Sequence, residues 1–150
     1  MPTDRATTGR CLCGRVTLAV SALRRDVVYC HCSQCRRQSG HYYAATEARD
    51  DDLTVSGEEH LTWYAASPDA RRGFCRHCGS VLFWKRNGGT TTAILAGCLD
   101  APTDLAATAH IFVADRGDYY EIADDLPRHP GSGGSTSAPP TGNDDTAPPS

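Results

Sequence analysis

Apolar side chains along this chain come in short alternating runs. Val16, Leu18 and Val20 are separated by Thr17 and Ala19, a period of two that predicts a strand with one buried face. Similar short runs follow at Val27-Val28-Tyr29, His41 to Thr46, Leu53-Thr54-Val55, His60 to Tyr64, Val81 to Lys85, Thr91 to Ala96 and Thr108 to Val113. Turn signals separate them, at Gly57, Pro68-Asp69, Asn87-Gly88-Gly89, Pro102 and Asp115 to Asp118, the last leading into Tyr119-Tyr120-Glu121-Ile122. Residues 32–39 contain Gln34, Arg36, Arg37 and Gln38 and stop at Gly40, which reads as one or two helical turns. Asp50-Asp51-Asp52 reads as a solvated turn. The pattern predicts a mainly β domain of short strands with little helix.

The two ends carry no such pattern. Residues 1–9 are polar and are expected to be a flexible N-terminus. The chain changes character at Arg128, and residues 131–150 contain no aromatic or large aliphatic side chain, a composition that cannot offset its own ordering entropy. Residues 128–150 are therefore expected to be a disordered tail, leaving one domain over 10–127. The polar tail explains part of the modest 39% hydrophobic content. A net charge of −3 gives no basic footprint for nucleic acid. No stretch reaches the run of about 18 apolar residues that spans a bilayer, and Met1-Pro2-Thr3-Asp4-Arg5 has no apolar signal region. A cytoplasmic protein with reduced thiols is expected.

Cysteine placement adds chemistry to this β pattern. Seven of the eight cysteines fall into three tight groups: Cys11/Cys13, Cys30/Cys32/Cys35 and Cys75/Cys78. Spacings of one or two residues let neighbouring thiolates reach one ion from a tight turn, and Gly14 lets the backbone turn beside the metal. Cys11, Cys13, Cys75 and Cys78 would make a closed structural Zn²⁺ site, leaving Cys30, Cys32 and Cys35 one ligand short around a second, catalytic Zn²⁺. Three readings stand beside this division: one zinc held by two of the clusters, a Cys₃His site completed by His31 or His77, and disulfides. His31 stands between two candidate ligands, where its ring is expected to point away from the ion. Cys98 reads as a small buried hydrophobe or as a fourth thiol near the open site. A three-thiolate zinc suits a soft substrate thiol, whose anionic body would need cations; Arg36, Arg37 and Arg72 are the candidates, with Arg71 and Arg76 nearby.

The motifs Gly9-Arg10-Cys11-Leu12-Cys13-Gly14, Cys30-His31-Cys32-Ser33-Gln34-Cys35-Arg36 and Arg72-Gly73-Phe74-Cys75-Arg76-His77-Cys78-Gly79-Ser80 resemble, in this order, those of the glutathione-dependent formaldehyde-activating enzyme family, which includes the centromere protein V type domains. Gly97-Cys98-Leu99-Asp100 and His110-Ile111-Phe112 extend the likeness. The resemblance implies a zinc-bound β-tent of mainly antiparallel strands. It implies structural zinc at Cys11, Cys13, Cys75 and Cys78 and catalytic zinc at Cys30, Cys32 and Cys35. It also implies a carbon–sulfur lyase that joins glutathione to formaldehyde, giving S-hydroxymethylglutathione. His31 and His41 are candidates for the acid that protonates the resulting oxygen. A non-catalytic thiol carrier or protein-interaction module is the competing expectation.

Overall fold

A computed structural model describes residues 6–132. Ten strands carry the fold: β1 (Thr7–Arg10), β2 (Thr17–Val20), β3 (Leu23–Cys30), β4 (Tyr43–Arg49), β5 (Leu53–Ser56), β6 (Leu61–Tyr64), β7 (Ala70–Cys75), β8 (Val81–Arg86), β9 (Thr91–Leu95) and β10 (Ala107–Ile111). One α-helix, α1 (Ser33–Ser39), follows β3, and the remaining helical pieces are single 3₁₀ turns. The expected mainly β architecture with little helix is present.

The strands form two sheets. A small one has the order β1-β2-β5, and a large one the order β10-β3-β4-β9-β8-β7-β6. Pairing is antiparallel except between β10 and β3, which run parallel with Ile111 opposite Cys30. The alternation at the start of the chain does what it predicts: Val16, Leu18 and Val20 are buried, while Thr17 between them is exposed. These three pack across the sheets onto Ala48, Leu82, Phe83 and Ile94, so the main core lies between the small sheet and one face of the large one. A second apolar cluster surrounds the end of β3, with Tyr43, Leu95, Ile111 and Phe112 packed around Cys30, Cys32 and Cys35.

The structure departs from the sequence pattern in several places. The flexible N-terminus expected over 1–9 is corrected in part, because Thr7 to Gly9 belong to β1 and pair with Leu18 to Val20. The expected boundary at Pro127 also moves: the His110 N–H donates to the Pro127 carbonyl at 2.9 Å, and the Phe112 N–H to the Gly131 carbonyl at 2.8 Å. The rest of the two expected end segments, residues 1–5 and 133–150, lies outside the described residues. Strand β7 was not apparent from its arginine-rich sequence. Asp50 is not merely solvated: its carboxylate accepts from Lys85 Nζ at 2.5 Å and from Thr92 Oγ1 at 2.7 Å, tying the turn after β4 to β8 and β9.

Gly57, just after β5, has φ of +82°, and a Cβ there would stand 2.0 Å from the Arg15 carbonyl oxygen. That oxygen belongs to backbone and cannot move aside cheaply. Gly57→Ala is therefore expected to cost about 2 kcal/mol or more, combining left-handed strain with the clash. The check is a lower denaturation midpoint with unchanged slope; wild-type stability would show that the small sheet tolerates a shift here.

Candidate metal centres and the network behind them

Two hairpins bring four thiols together. Cys11 and Cys13 lie on the turn between β1 and β2; Cys75 ends β7, and Cys78 sits in the turn before β8. Gly14 and Gly79, at φ of +83° and +80°, close these turns with N–H groups donating to the carbonyls of Cys11 and Cys75. The four sulfurs all lie within 4.8 Å of one another, with Cys11–Cys13 at 3.6 Å and Cys13–Cys75 at 3.7 Å. Zn–S bonds of about 2.3 Å give a tetrahedral edge of about 3.8 Å, so this donor set fits the ion. Backbone N–H groups already point at the sulfurs: Val16 at Cys11, Cys13 at Cys78, and His77 and Cys78 at Cys75. The Ser80 hydroxyl lies 3.3 Å from Cys78 Sγ and, with neighbouring N–H groups, holds that thiol down at about 5 against burial.

The second group is more deeply enclosed. Cys30 ends β3, Cys32 caps α1 by accepting the Cys35 N–H at 3.3 Å, and Cys35 lies in the helix's first turn. Their sulfurs are 3.1 Å (Cys32–Cys35) and 3.5 Å (Cys35–Cys30) apart, and all three residues are buried. Hydrogen bonding from Cys30 and Cys35, helped by the charge of Arg72, pushes the Cys32 thiol down, whereas burial pushes Cys30 and Cys35 up. Three sulfurs this close in a buried group are a set poised to give up protons to a cation.

Arg72 accounts for part of that polarity. It sits on β7, only 1% exposed, with Nη1 3.6 Å from Cys35 Sγ. Its Nη2 donates to Gln34 Oε1 at 3.2 Å, its Nη1 to Gln38 Oε1 at 3.4 Å, and its guanidinium stacks 5.1 Å over the Tyr43 ring. The Tyr43 hydroxyl also donates to Gln38 Oε1. Arg72 therefore faces a cysteine and not an open substrate pocket, which corrects its expected role as an anchor for the thiol's anionic body. Arg36 reaches the Asp115 carbonyl and Arg37 is exposed, so the three expected arginines do not converge. A cation not singled out by the sequence reading, Arg10, lines a 530 Å³ cavity together with Cys11, Ser80, Ser39, Ala44 and Leu95. Leu95 also packs in the apolar cluster around Cys30, Cys32 and Cys35. Cys98 also lines the cavity and packs against the main core, with burial pushing its thiol up to about 12; it joins neither group.

The histidines lie elsewhere. Successive residues of an extended chain point to opposite faces, so with Cys30 and Cys32 turned toward the thiol group, His31 points away from it. Its Nδ1 is 2.6 Å from the Tyr120 hydroxyl and its Nε2 2.8 Å from His110 Nδ1, while His110 Nε2 is 3.0 Å from both Asp124 oxygens. Burial, reinforced by neighbouring His110, pushes His31 down to about 4, so the ring is neutral. The expectation that His31 serves as acid beside the second metal is corrected, because its ring is on the other side of the sheet. His41 is exposed and bonded to Tyr119, and the His77 ring lies tilted against His60 with centroids 4.8 Å apart. No histidine joins either thiol group among the described residues, which removes the Cys₃His alternative. All eight cysteines are free, which removes the disulfide one. His110, Tyr120 and Asp124 carry no sequence signal of their own, since no fixed spacing relates them to His31.

Among the described residues no helix is long and apolar enough to cross a membrane. A relative from Schizosaccharomyces pombe, described as an uncharacterized lyase, is 28% identical over 116 residues, covering 77% of this chain and 84% of the relative. A Halomonas elongata protein bearing the name "Putative glutathione-dependent formaldehyde-activating enzyme" is 30% identical over 127 residues, covering 76% and 79%. The crystal structure of a Rhodobacter sphaeroides protein, 31% identical, superposes with a TM-score of 0.56 over 67% of this chain and 99% of that one. The model of the family described as glutathione-dependent formaldehyde-activating enzyme matches residues 6–115, spanning β1 through β10 and both thiol groups, and the chain belongs to that family.

Proposed function

We propose that this chain is a zinc-dependent carbon–sulfur lyase that joins a low-molecular-weight thiol, glutathione or one like it, to a small aldehyde such as formaldehyde. In that reaction the thiol sulfur bonds to the aldehyde carbon. The carbonyl π pair moves to oxygen, and the proton given up by the thiol ends there as a hydroxyl. The observation that carries the reading is the partition of seven thiols into a group of four and a separate buried group of three. Three protein ligands leave room for an exchangeable one. Zn²⁺ bound there would supply a Lewis-acid position that takes a thiol and favours its deprotonated form.

Each part of the chain has a distinct task in this reading. Cys11, Cys13, Cys75 and Cys78 would hold a structural zinc that staples two hairpins, and Cys30, Cys32 and Cys35 would hold the catalytic one. Three thiolates around a divalent cation carry one net negative charge, and an arriving substrate thiolate makes two. Burying such a charge uncompensated costs several kcal/mol. Arg72, held by Gln34, Gln38 and Tyr43, brings the total back to one and so favours the substrate's anionic form. The 530 Å³ cavity beside Ser39, Ala44 and Leu95 would seat the body of the thiol, with Arg10 available to its carboxylates. The naming of relatives as a lyase and as a formaldehyde-activating enzyme supports the same reaction class.

Metal analysis of the purified chain is expected to find about two zinc ions per chain. Cys32→Ser should lose one and keep its circular dichroism, whereas Cys75→Ser should unfold. One ion in the wild type, or unchanged metal in Cys32→Ser, would defeat the division into four and three. In an assay with formaldehyde and glutathione, the wild type should exceed the uncatalysed addition and Cys32→Ser should not. Zinc and thiol binding without turnover would point instead to a thiol-carrier or protein-interaction module.

Replacing the buried cation tests the charge argument separately. Arg72→Gln is expected to lower kcat/KM about 100-fold, equivalent to about 2.7 kcal/mol, with the second zinc still bound when zinc is in excess. Full activity in that variant would show that the thiolate charge is compensated from elsewhere.

A further inference from the structure

The cluster on the far side of β3 has no part in the reaction described above, yet its polar side chains are bonded to one another directly behind the second thiol group. Four residues form one chain: Tyr120, His31, His110 and Asp124, with links of 2.6, 2.8 and 3.0 Å. His31 is fully buried and His110 is 2% exposed. Rings of Tyr29 and Tyr42 pack against the two imidazoles at centroid distances of 4.6 to 5.2 Å. A 360 Å³ cavity lined by Tyr42, His110, Tyr120 and Asp124 opens beside them.

The Asp124 end sets the first bond, and one arrangement that satisfies every group follows from it. An ionised Asp124 carboxylate can only accept, so His110 Nε2 carries a hydrogen and donates to it. His110 Nδ1 is then bare and accepts from His31 Nε2–H. His31 Nδ1 is bare in turn and accepts from the Tyr120 hydroxyl, whose oxygen accepts the Gly117 N–H at 3.3 Å. In that arrangement both nitrogens of each ring are satisfied. Little freedom is left to the His31 ring.

That ring belongs to the residue between Cys30 and Cys32. Rotation of the strand end about its own axis would carry His31 out of its bonds and move both thiols relative to Cys35. We propose that Tyr120, His110 and Asp124 are positioning residues for the second metal centre, fixing the Cys30 and Cys32 thiols from the opposite face of the sheet through His31. The segment after β10 supplies two of the three, and it is itself held to that strand: the His129 N–H donates to the His110 carbonyl at 2.9 Å, and Val113 N–H to the His129 carbonyl at 3.0 Å. Partners that orient a ligand without touching the metal commonly change its affinity about 10- to 100-fold. The inference rests on the reading of Cys30, Cys32 and Cys35 as a metal centre.

The test is competition for zinc with a chromogenic chelator, following the two equivalents separately in wild type, Asp124→Leu, Tyr120→Phe and Asp124→Asn. Asp124→Leu removes the exposed outer end, and Tyr120→Phe removes one hydroxyl, so both should keep the fold and the first, tightly held ion. The second ion is expected to be lost about 10- to 100-fold more readily in both. Asp124→Asn, whose amide oxygen still accepts from His110, should behave like wild type. Long-range ¹H–¹⁵N spectra should show His31 and His110 both protonated at Nε2 in wild type. Wild-type retention of the second ion in Asp124→Leu and Tyr120→Phe would overturn the positioning role while leaving the metal centre intact. A wild-type chain that binds a single ion would overturn the metal centre and this inference with it.

Discussion

The fold depends on bringing like groups together that would otherwise avoid one another. Cys13 and Cys75 are 62 residues apart in sequence, yet their sulfurs lie 3.7 Å from each other. Such proximity among ionisable thiols is unfavourable unless a cation or a proton lies between them. The two hairpins that carry them are far apart in the strand order: β1 and β2 belong to the small sheet, β7 and β8 to the other side of the large one. The four-thiol junction therefore links the two sheets, beside the Leu12 N–H that donates to the Ser80 hydroxyl at 2.8 Å. The core formed by Val16, Leu18, Val20, Leu82, Phe83 and Ile94 lies beside that junction. A metal held by these four thiols would couple its binding to closure of the core.

The second thiol group follows a different logic. Its three sulfurs come from a strand end and the first turn of the helix that follows, so local geometry suffices to gather them. What it needs from afar is charge and support. Arg72 arrives from β7, across β8, β9 and β4 in the sheet order, and is held there by Gln34 and Gln38 of α1. A guanidinium that is 1% exposed cannot be a solvated surface charge, and the thiol beside it gives it a partner. The open group thus sits between a fixed cation on one side and a rigid polar cluster on the other. Its remaining neighbours are apolar, including Leu95, Ile111 and Phe112.

Much of this was legible because the informative features are local. Alternation at Val16, Leu18 and Val20 is a property of five consecutive residues, and each cysteine group spans at most six. Counting seven thiols then suggests four and three without any knowledge of the fold. The missed features are those in which tertiary context overrides local preference. Strand β7 reads as polar because of Arg71 and Arg72, and it is a buried strand only because the thiol group and Tyr43 receive Arg72. The mistaken assignment of substrate anions to Arg72 has the same origin: from sequence, an arginine near cysteines looks solvent-facing. The outward turn of the His31 ring was legible, since period-two alternation across Cys30-His31-Cys32 turns the imidazole away from both thiols. Its partners His110, Tyr120 and Asp124 were not, because they lie 79 or more residues away.

The parallel pairing of β10 with β3 has a consequence for the order of assembly. Cys30, Cys32 and Cys35 are synthesised together and can collect within one short segment soon after they emerge. Ile111, which lies opposite Cys30, is made about eighty residues later, and closing so long a loop is an entropically late step. The three thiols would therefore be together in the growing chain well before the strand beside them is available. At synthesis rates of roughly 5–20 residues per second, that interval lasts on the order of several seconds. Until then Ile111 and Phe112 are missing from the apolar cover of Cys30, Cys32 and Cys35, and arrival of β10 completes it.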